Sequence, residues 1–233
     1  MDEFFSRSEA LLGAEVMEAL RTTRVIIFGV GGVGSYAAEC LIRTGLTHLT
    51  IVDGDVVQPS NTNRQLPATR ATIGRPKVEV LRERLLEINP DADIEAIQVF
   101  YHADNESFDF RLSTFDYVID AIDSVNDKTD LILNATRARV KIFSSMGAAL
   151  RFDPTQVTTG ELMSIQGDAL AKAVRARMKK LDRFPSKKVR CVYSTEQAQR
   201  CEIRGSLMQV TAVFGLTLAS LVIKDLVTGV SVR

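Results

Sequence analysis

The chain reads as an α/β protein with a mostly parallel sheet, helices on both faces and a C-terminal extension. Three observations predict this. An apolar run, Val25–Phe28, ends in a glycine cluster (Gly29, Gly31, Gly32, Gly34) that leads into a helical pattern over Tyr36–Thr44. Apolar strand-like runs then alternate with helical stripes as far as Gly147. Finally, Gly29, Asp53, Asp123 and Gly147 all stand at or just beyond the ends of such runs. Repeated strand–helix units build parallel sheets covered on both faces, and ligands bind beyond the carboxyl ends of their strands. The opening strand, glycine turn and helix are those of a Rossmann-like nucleotide site. There the glycines let the backbone approach a phosphate chain, and the helix start offers free N–H groups.

Each further element has its own signal. Residues 1–22 are expected to form an N-terminal helix, 23–150 the nucleotide-binding core and 151–233 a substrate-binding and dimer extension, all within a single domain of 233 residues. His48–Val52 is a second strand. Pro76–Ile88 carries an apolar stripe (Val78, Val80, Leu81, Leu85, Ile88) at helical spacing and stops at Asn89-Pro90, where proline removes a backbone donor. Ile94–Val99 and Phe115–Ile119 are the third and fourth strands. Asp127–Ala138 is a helix and Lys141–Ser145 a fifth strand.

Composition bounds the function. The chain is 45% apolar, enough for a sizeable core, and its formal charge is zero, so bulk electrostatics select no partner. The N-terminus lacks the basic start and apolar core of a secretory signal. The longest apolar stretch, Leu207–Ile223, contains Gln209, Thr211, Thr217 and Ser220; it is short for a membrane span and reads as a buried or dimer-interface helix. A cytoplasmic protein without membrane attachment is expected. Cys40, Cys191 and Cys201 form no Cys-x-x-Cys pairs, which excludes a structural tetrathiolate zinc site within one chain. Cys40 and Cys191 fall in apolar surroundings. Cys201 lies in the polar stretch 199–204, with Arg200 and Arg204 nearby, and is either a reactive thiol or an incidental loop cysteine.

The chemistry is written after the second strand. Asp53 ends it about twenty residues beyond the glycines, where an acidic side chain accepts hydrogen bonds from a ribose. A simple dehydrogenase would turn directly into its next helix. This chain instead inserts Asp55, Asn61, Asn63, Arg64 and Gln65, then Gly74-Arg-Pro-Lys77. Fixed amides, a guanidinium and an ammonium beside a phosphate-binding helix suit substitution at the α-phosphate of ATP, where charge grows on the oxygens and on departing pyrophosphate. Hydride transfer needs no such cluster. Asp120 and Asp123 place two carboxylates beyond the fourth strand, an invitation to the Mg2+ ion that carries a triphosphate. The plain alternatives are turn and cap roles for the acids and amides and a solvated Lys77.

These residues resemble the ubiquitin-activating-type adenylyltransferases, which include activators of molybdopterin and thiamine biosynthesis. The match runs through Gly29–Ser35, Asp53, Asn61–Gln65, Gly74–Lys77 and Asp120–Asp123. The resemblance implies ribose binding by Asp53, phosphate contacts by Arg64, Gln65 and Lys77, and Mg2+ at Asp123. It further implies a homodimer in which Arg7 crosses to the neighbouring nucleotide. Within the superfamily the chain is most similar to the branch that cyclises threonylcarbamoyladenosine in tRNA, through Tyr117–Ser124, Asp153–Gln156, Cys191–Glu196 and Val210–Gly215. That branch implies ATP-dependent dehydration through an acyl-adenylate, a tRNA substrate and a partner from a cysteine-desulfurase system.

One feature is independent of the resemblance. Between Lys172 and Arg190 stand nine basic residues, among them Lys179, Lys180, Lys187 and Lys188, against a single acid, Asp182. The segment is either a solvated basic helix or a surface for tRNA phosphates. Two further readings remain open: adenylation of the C-terminus of a ubiquitin-like sulfur carrier, and a nucleotide-sensing scaffold without catalysis.

Overall fold

The computed structural model describes residues 3–102, 110–202 and 205–231. Two helices, α1 (Ser6–Leu12) and α2 (Ala14–Thr22), precede β1 (Arg24–Phe28), α3 (Gly34–Thr44) and β2 (His48–Val52). Next come α4 (Lys77–Ile88), β3 (Asp93–Ile97), β4 (Tyr117–Asp120), α5 (Val125–Arg137) and β5 (Lys141–Ser145). The extension adds β6 (Val157–Glu161), α6 (Ala169–Leu181), β7 (Arg190–Ser194) and α7 (Met208–Ser231). The strands form one sheet in the order β3-β2-β1-β4-β5-β7-β6, parallel except for β6, which runs against β7. The mostly parallel architecture read from the sequence is present.

Alternation along β1 splits the core. Val25 and Ile27 join one apolar cluster with residues of α2, α3, α4 and α7, while Ile26 and Phe28 join the other with α5 and α6. Both faces are therefore covered, as period-two alternation in a buried strand requires. The register levels the strand ends: Phe28 stands beside Val52 and Asp120, and Asp120 beside Ser144. The described loops after β1, β2, β3, β4 and β5 each supply residues to one cavity.

Several boundaries differ from the sequence expectation for local reasons. The N-terminal helix is broken at Gly13, whose φ of 81° no ordinary residue adopts comfortably. The fourth strand begins at Tyr117 rather than Phe115, because a 3-10 turn occupies Leu112–Thr114 and Asp116 accepts the Arg24 N–H. The third strand ends at Ile97, where Val99 N–H turns back onto its carbonyl. α5 starts at Val125, behind Ser124 as its N-cap.

The C-terminal helix departs most. It continues through Lys224 and Asp225 to Ser231, 24 residues in all, and is long and apolar enough to cross a membrane, contrary to the expectation from the shorter apolar stretch. Its contacts are those of a core helix along one side: Val210, Phe214, Leu218 and Val222 are buried in the cluster shared with α3. Asp225 accepts from Tyr117 Oη and pairs with Lys141. Gly215 lets the two helices touch, since a Cβ there would stand 2.2 Å from the Val33 carbonyl oxygen.

Gly215→Ala should therefore overpack this crossing and lower unfolding free energy by about 2 kcal/mol or more. Gly229→Ala, on the same helix with nothing within 4 Å, should be neutral or stabilising by up to about 1 kcal/mol. Urea unfolding of both variants checks the contrast, and equal losses would contradict it.

Candidate active site

The rim of the sheet holds a cavity of about 470 Å³. Ten of the sequence-predicted residues line it: Gly29, Gly31 and Gly32 from the glycine turn, then Asp53, Asp55, Asn61, Arg64, Gln65, Lys77 and Asp123. Gly147 lines it too.

The glycine turn is built by close backbone approach. A Cβ at Gly34 would lie 1.9 Å from the Gly29 carbonyl oxygen, and one at Gly29, whose φ is 85°, would lie 2.8 Å from that of Ala121. Gly34 thus opens α3 from beneath the turn without facing the cavity. Asp53 fixes the turn from the neighbouring strand: Oδ2 accepts the Val30 N–H at 2.8 Å and Oδ1 accepts the Asp55 N–H at 2.9 Å. Burial holds the Asp53 carboxyl above the usual carboxylate range, with the nearby Lys77 pulling the other way. Each of its oxygens retains a lone pair for a further donor.

The segment from 53 to 77 folds onto itself and gathers the cations. Lys77 N–H donates to the Asp55 carbonyl, and Val56 bridges Pro76. Lys77 is buried, so the solvated alternative does not hold, and its Nζ meets Asp55 Oδ2 at 2.7 Å. Arg64 is held by the Ser60 carbonyl and Asn63 Oδ1, neutral partners that leave its charge uncompensated by any ion pair among the described residues. Asn61 is buried and shapes the loop, its Oδ1 accepting the Gln58 N–H. Gln65 is buried beside Gly31, and its Oε1 has no hydrogen-bond partner among the described residues. A buried acceptor without a donor marks a place for a polar ligand.

Some predicted residues stand elsewhere. Asn63 is exposed outside the cavity lining and donates to the Ser206 carbonyl. Arg7 is exposed on α1 and does not line the pocket of its own chain. Asp120 does not join Asp123 as a second carboxylate facing the cavity. It is fully buried and bonded to Lys128 and Ser144, because an unpaired carboxylate cannot be held inside the sheet. Asp123, by contrast, is exposed into the cavity with no hydrogen bond or ion pair to the described residues. No cluster of three potential metal-ligating side chains exists among the described residues. One free carboxylate fits an ion that takes its remaining ligands from phosphates and water, as Mg2+ does.

Cys201 is exposed, and Arg204 beside it in sequence lies outside the described residues. Cys191 is fully buried on β7 and burial pushes its thiol far up; burial also raises the thiol of Cys40, which packs against the core. In the basic segment, Arg175 donates to the Leu162 carbonyl and Arg177 pairs with Asp130, so these two face the body of the protein. Lys172, Lys179, Lys180, Arg183, Lys187, Lys188 and Arg190 are exposed. A groove of about 510 Å³ at this end joins Arg183, Phe184 and Lys187 to Arg137 and Arg139 from the end of α5.

Sequence reasoning missed several residues that line the cavity or brace its wall. Phe100 crosses the cavity edge above Gly54, where a Cβ would meet its ring at 2.5 Å. Thr211 at the start of α7 abuts Gly32, with Oγ1 3.1 Å from where a Cβ would sit. Asp168 caps α6 through the Ala171 N–H, accepts the Gly147 N–H at 3.1 Å and pairs with the buried Arg151 at 3.1 Å. Only Gly54, adjacent to Asp53, and Thr211, inside an already noted segment, carried any signal.

Comparison with known proteins accords with this geometry. The model of the ThiF family matches residues 5–231. A tRNA threonylcarbamoyladenosine dehydratase of Bacillus subtilis is 40% identical over 178 residues, covering 76% of this chain and 69% of the relative. That of Haemophilus influenzae is 35% identical over 89% of this chain and 87% of its own length. The crystal structure of the Escherichia coli tRNA N6-threonylcarbamoyladenosine dehydratase in complex with ATP superposes with a TM-score of 0.90 at 33% identity, covering 99% of this chain and 96% of that one. The chain belongs to the ThiF family, in the branch formed by the tRNA threonylcarbamoyladenosine dehydratases.

Proposed function

We propose that this protein uses ATP to cyclise threonylcarbamoyladenosine in tRNA, by way of an acyl-adenylate. The observation that carries the reading is the convergence of the glycine turn, Asp53, Arg64, Lys77 and Asp123 on one cavity. The threonyl carboxylate attacks the α-phosphorus, and the bond to pyrophosphate breaks. The carbamoyl group of the same side chain then attacks the activated carbonyl; it loses a proton, AMP departs and the ring closes.

Each residue has a role in that sequence. Asp53 accepts the ribose hydroxyls with the lone pairs left over from Val30 and Asp55. The backbone N–H groups of Gly31, Gly32 and Val33, which line the cavity just ahead of α3, receive phosphate oxygens. Arg64, held only by neutral groups, meets the growing charge on the phosphates. Lys77 shares its charge between Asp55 and the phosphate chain. Asp123 would hold Mg2+, which when bound neutralises part of the triphosphate charge. The mixed anhydride must be kept from water until the ring closes, and Phe100 and the Gly147 loop at the cavity edge are the groups placed to limit its access.

Two surfaces supply the partners. The exposed lysines of α6 and the loop after it, with Arg137, Arg139, Arg183 and the exposed Phe184, take the tRNA. Cations interleaved with an aromatic ring suit a phosphate backbone and an unstacked base. α1 buries none of its residues and exposes Leu11 at 85%, with Phe4 just ahead of it at 90%. Burial of these apolar side chains against a second copy makes the homodimer that carries Arg7 to the neighbouring pocket. A cytoplasmic location and contact with a cysteine-desulfurase-system protein belong to the same reading.

Lys77→Ala and Arg64→Ala should each slow turnover on the order of 100-fold or more, the cost of losing one donor to a charged transition state. Mass spectrometry of nucleosides from tRNA incubated with enzyme and ATP measures this. A rate within a few-fold of the parent removes that residue from the mechanism.

Charge reversal of Lys179, Lys180, Lys187 and Lys188 to Glu should weaken tRNA binding and leave ATP affinity intact. The log–log salt dependence of tRNA affinity should become shallower by roughly 0.7–0.9 for each phosphate no longer neutralised. An unchanged affinity and slope would shift the reading toward a protein-tail substrate.

Arg7→Ala and Asp123→Ala subunits, each inactive alone, should regain activity on mixing, because each mixed dimer assembles one complete site. Light scattering that finds only monomer at working concentration would contradict this.

A further inference from the structure

A buried ion pair lies beneath the cavity, and no step of the proposed reaction uses it. Lys128 in α5, Asp120 at the end of β4 and Ser144 on β5 are all fully buried. Lys128 Nζ donates to Asp120 Oδ2 at 2.7 Å, and Ser144 Oγ donates to the same oxygen at 2.5 Å. Burying two such ions costs several kcal/mol each, and apolar residues of equal volume often stabilise a fold as well. Stability alone is therefore a poor account of the pair.

Its geometry gives a better one. The second oxygen, Asp120 Oδ1, accepts the Ile122 N–H at 3.0 Å, two residues on. A bond of this kind bends the chain as it leaves the strand. The bend seats Ala121 against the glycine turn: its N–H donates to the Phe28 carbonyl, and its Cβ lies 3.3 Å from where a Cβ on Gly34 would stand. One residue after Ile122, Asp123 reaches the cavity with its carboxylate unpaired among the described residues. Three elements meet at the ammonium, and the turn they fix forms one wall of the nucleotide site.

We infer that Lys128 is a positioning residue: through Asp120 it holds the 120–123 turn against the glycine turn and sets where the Asp123 carboxylate stands. The inference rests on the reading of this cavity as the ATP site. Lys128 itself touches no substrate.

The test compares Lys128→Met, which keeps the apolar stem and loses the charge, with Val174→Ala, a buried cavity-forming change in α6 outside the pocket lining. Thermal stability, ATP affinity by calorimetry with and without Mg2+, and kcat and KM for ATP are measured for both. Both variants should lose stability. Only Lys128→Met should lose kcat on the order of 100-fold, as a displacement of about 1 Å at a reacting centre does. It should also lose most of the affinity that Mg2+ adds to ATP binding. Constants for Lys128→Met within about twofold of those for Val174→Ala, on a scale where roughly tenfold is 1.4 kcal/mol, would overturn the inference. Should Lys128→Met fail to fold, Ser144→Ala removes one bond to Asp120 and should shift the same quantities in the same direction; no shift overturns it equally. A parent that binds ATP but leaves tRNA unchanged defeats the functional reading, while the calorimetric comparison still decides on Lys128. A parent that binds no ATP defeats both.

Discussion

The site depends on two backbones meeting without side chains between them. The glycine turn after β1 and the chain leaving β4 lie so close that a single Cβ at Gly29 would collide with the Ala121 carbonyl. That contact puts the glycine turn and the 120–123 turn on one rim, and the level register of β1, β2, β4 and β5 extends the rim on either side. The sheet beneath is packed on both faces and therefore hard to deform. The residues that face the cavity gather where the strands stop, because there backbone groups lack ladder partners.

Charge is arranged around this rim by the same constraint. Asp53 commits one lone pair of each oxygen to the protein and keeps the others. Lys77 is buried against one acid, whereas Arg64 is held by a carbonyl and an amide. One cation is thus paired with an acid, while the other is held by neutral groups that leave its charge unneutralised. Asp120 and Asp123, three residues apart in sequence, have opposite fates, the first sealed inside the sheet against Lys128 and the second open to the cavity.

Much of this was legible in the sequence, and the misses share a cause. Strand ends at Gly29, Asp53 and Asp123 were readable because they follow continuous apolar runs, and a parallel sheet gathers such ends in one place. The loop from Asp55 to Lys77 stood out because it interrupts an expected strand-to-helix turn, and five of its polar residues line the cavity. The pairing of Asp120 with Lys128 was not: eight residues apart, they look like a free acid and a solvated helix lysine until the register buries both. Phe100 reaches the cavity and Asp168 braces the Gly147 N–H behind it, both through the tertiary path of the chain and without a local signature. The extent of α7 was misjudged because Lys224 and Asp225 look like a stop, whereas Asp225 is drawn in by Tyr117 and Lys141.

The basic end of α5 and α6 has one more consequence. The whole chain carries no net charge, so the excess of cations between Lys172 and Arg190 is offset by an excess of acids over the rest of the sequence, and wherever those acids stand apart from the basic end the two form a dipole. A polyanion exerts a torque on such a body more than a pull. It turns the basic end inward before contact and presents the rest of the surface outward. At physiological ionic strength that torque reaches only about 8 Å. Alignment therefore belongs to the last moment of approach, and added salt removes it before it disturbs any bond inside the protein.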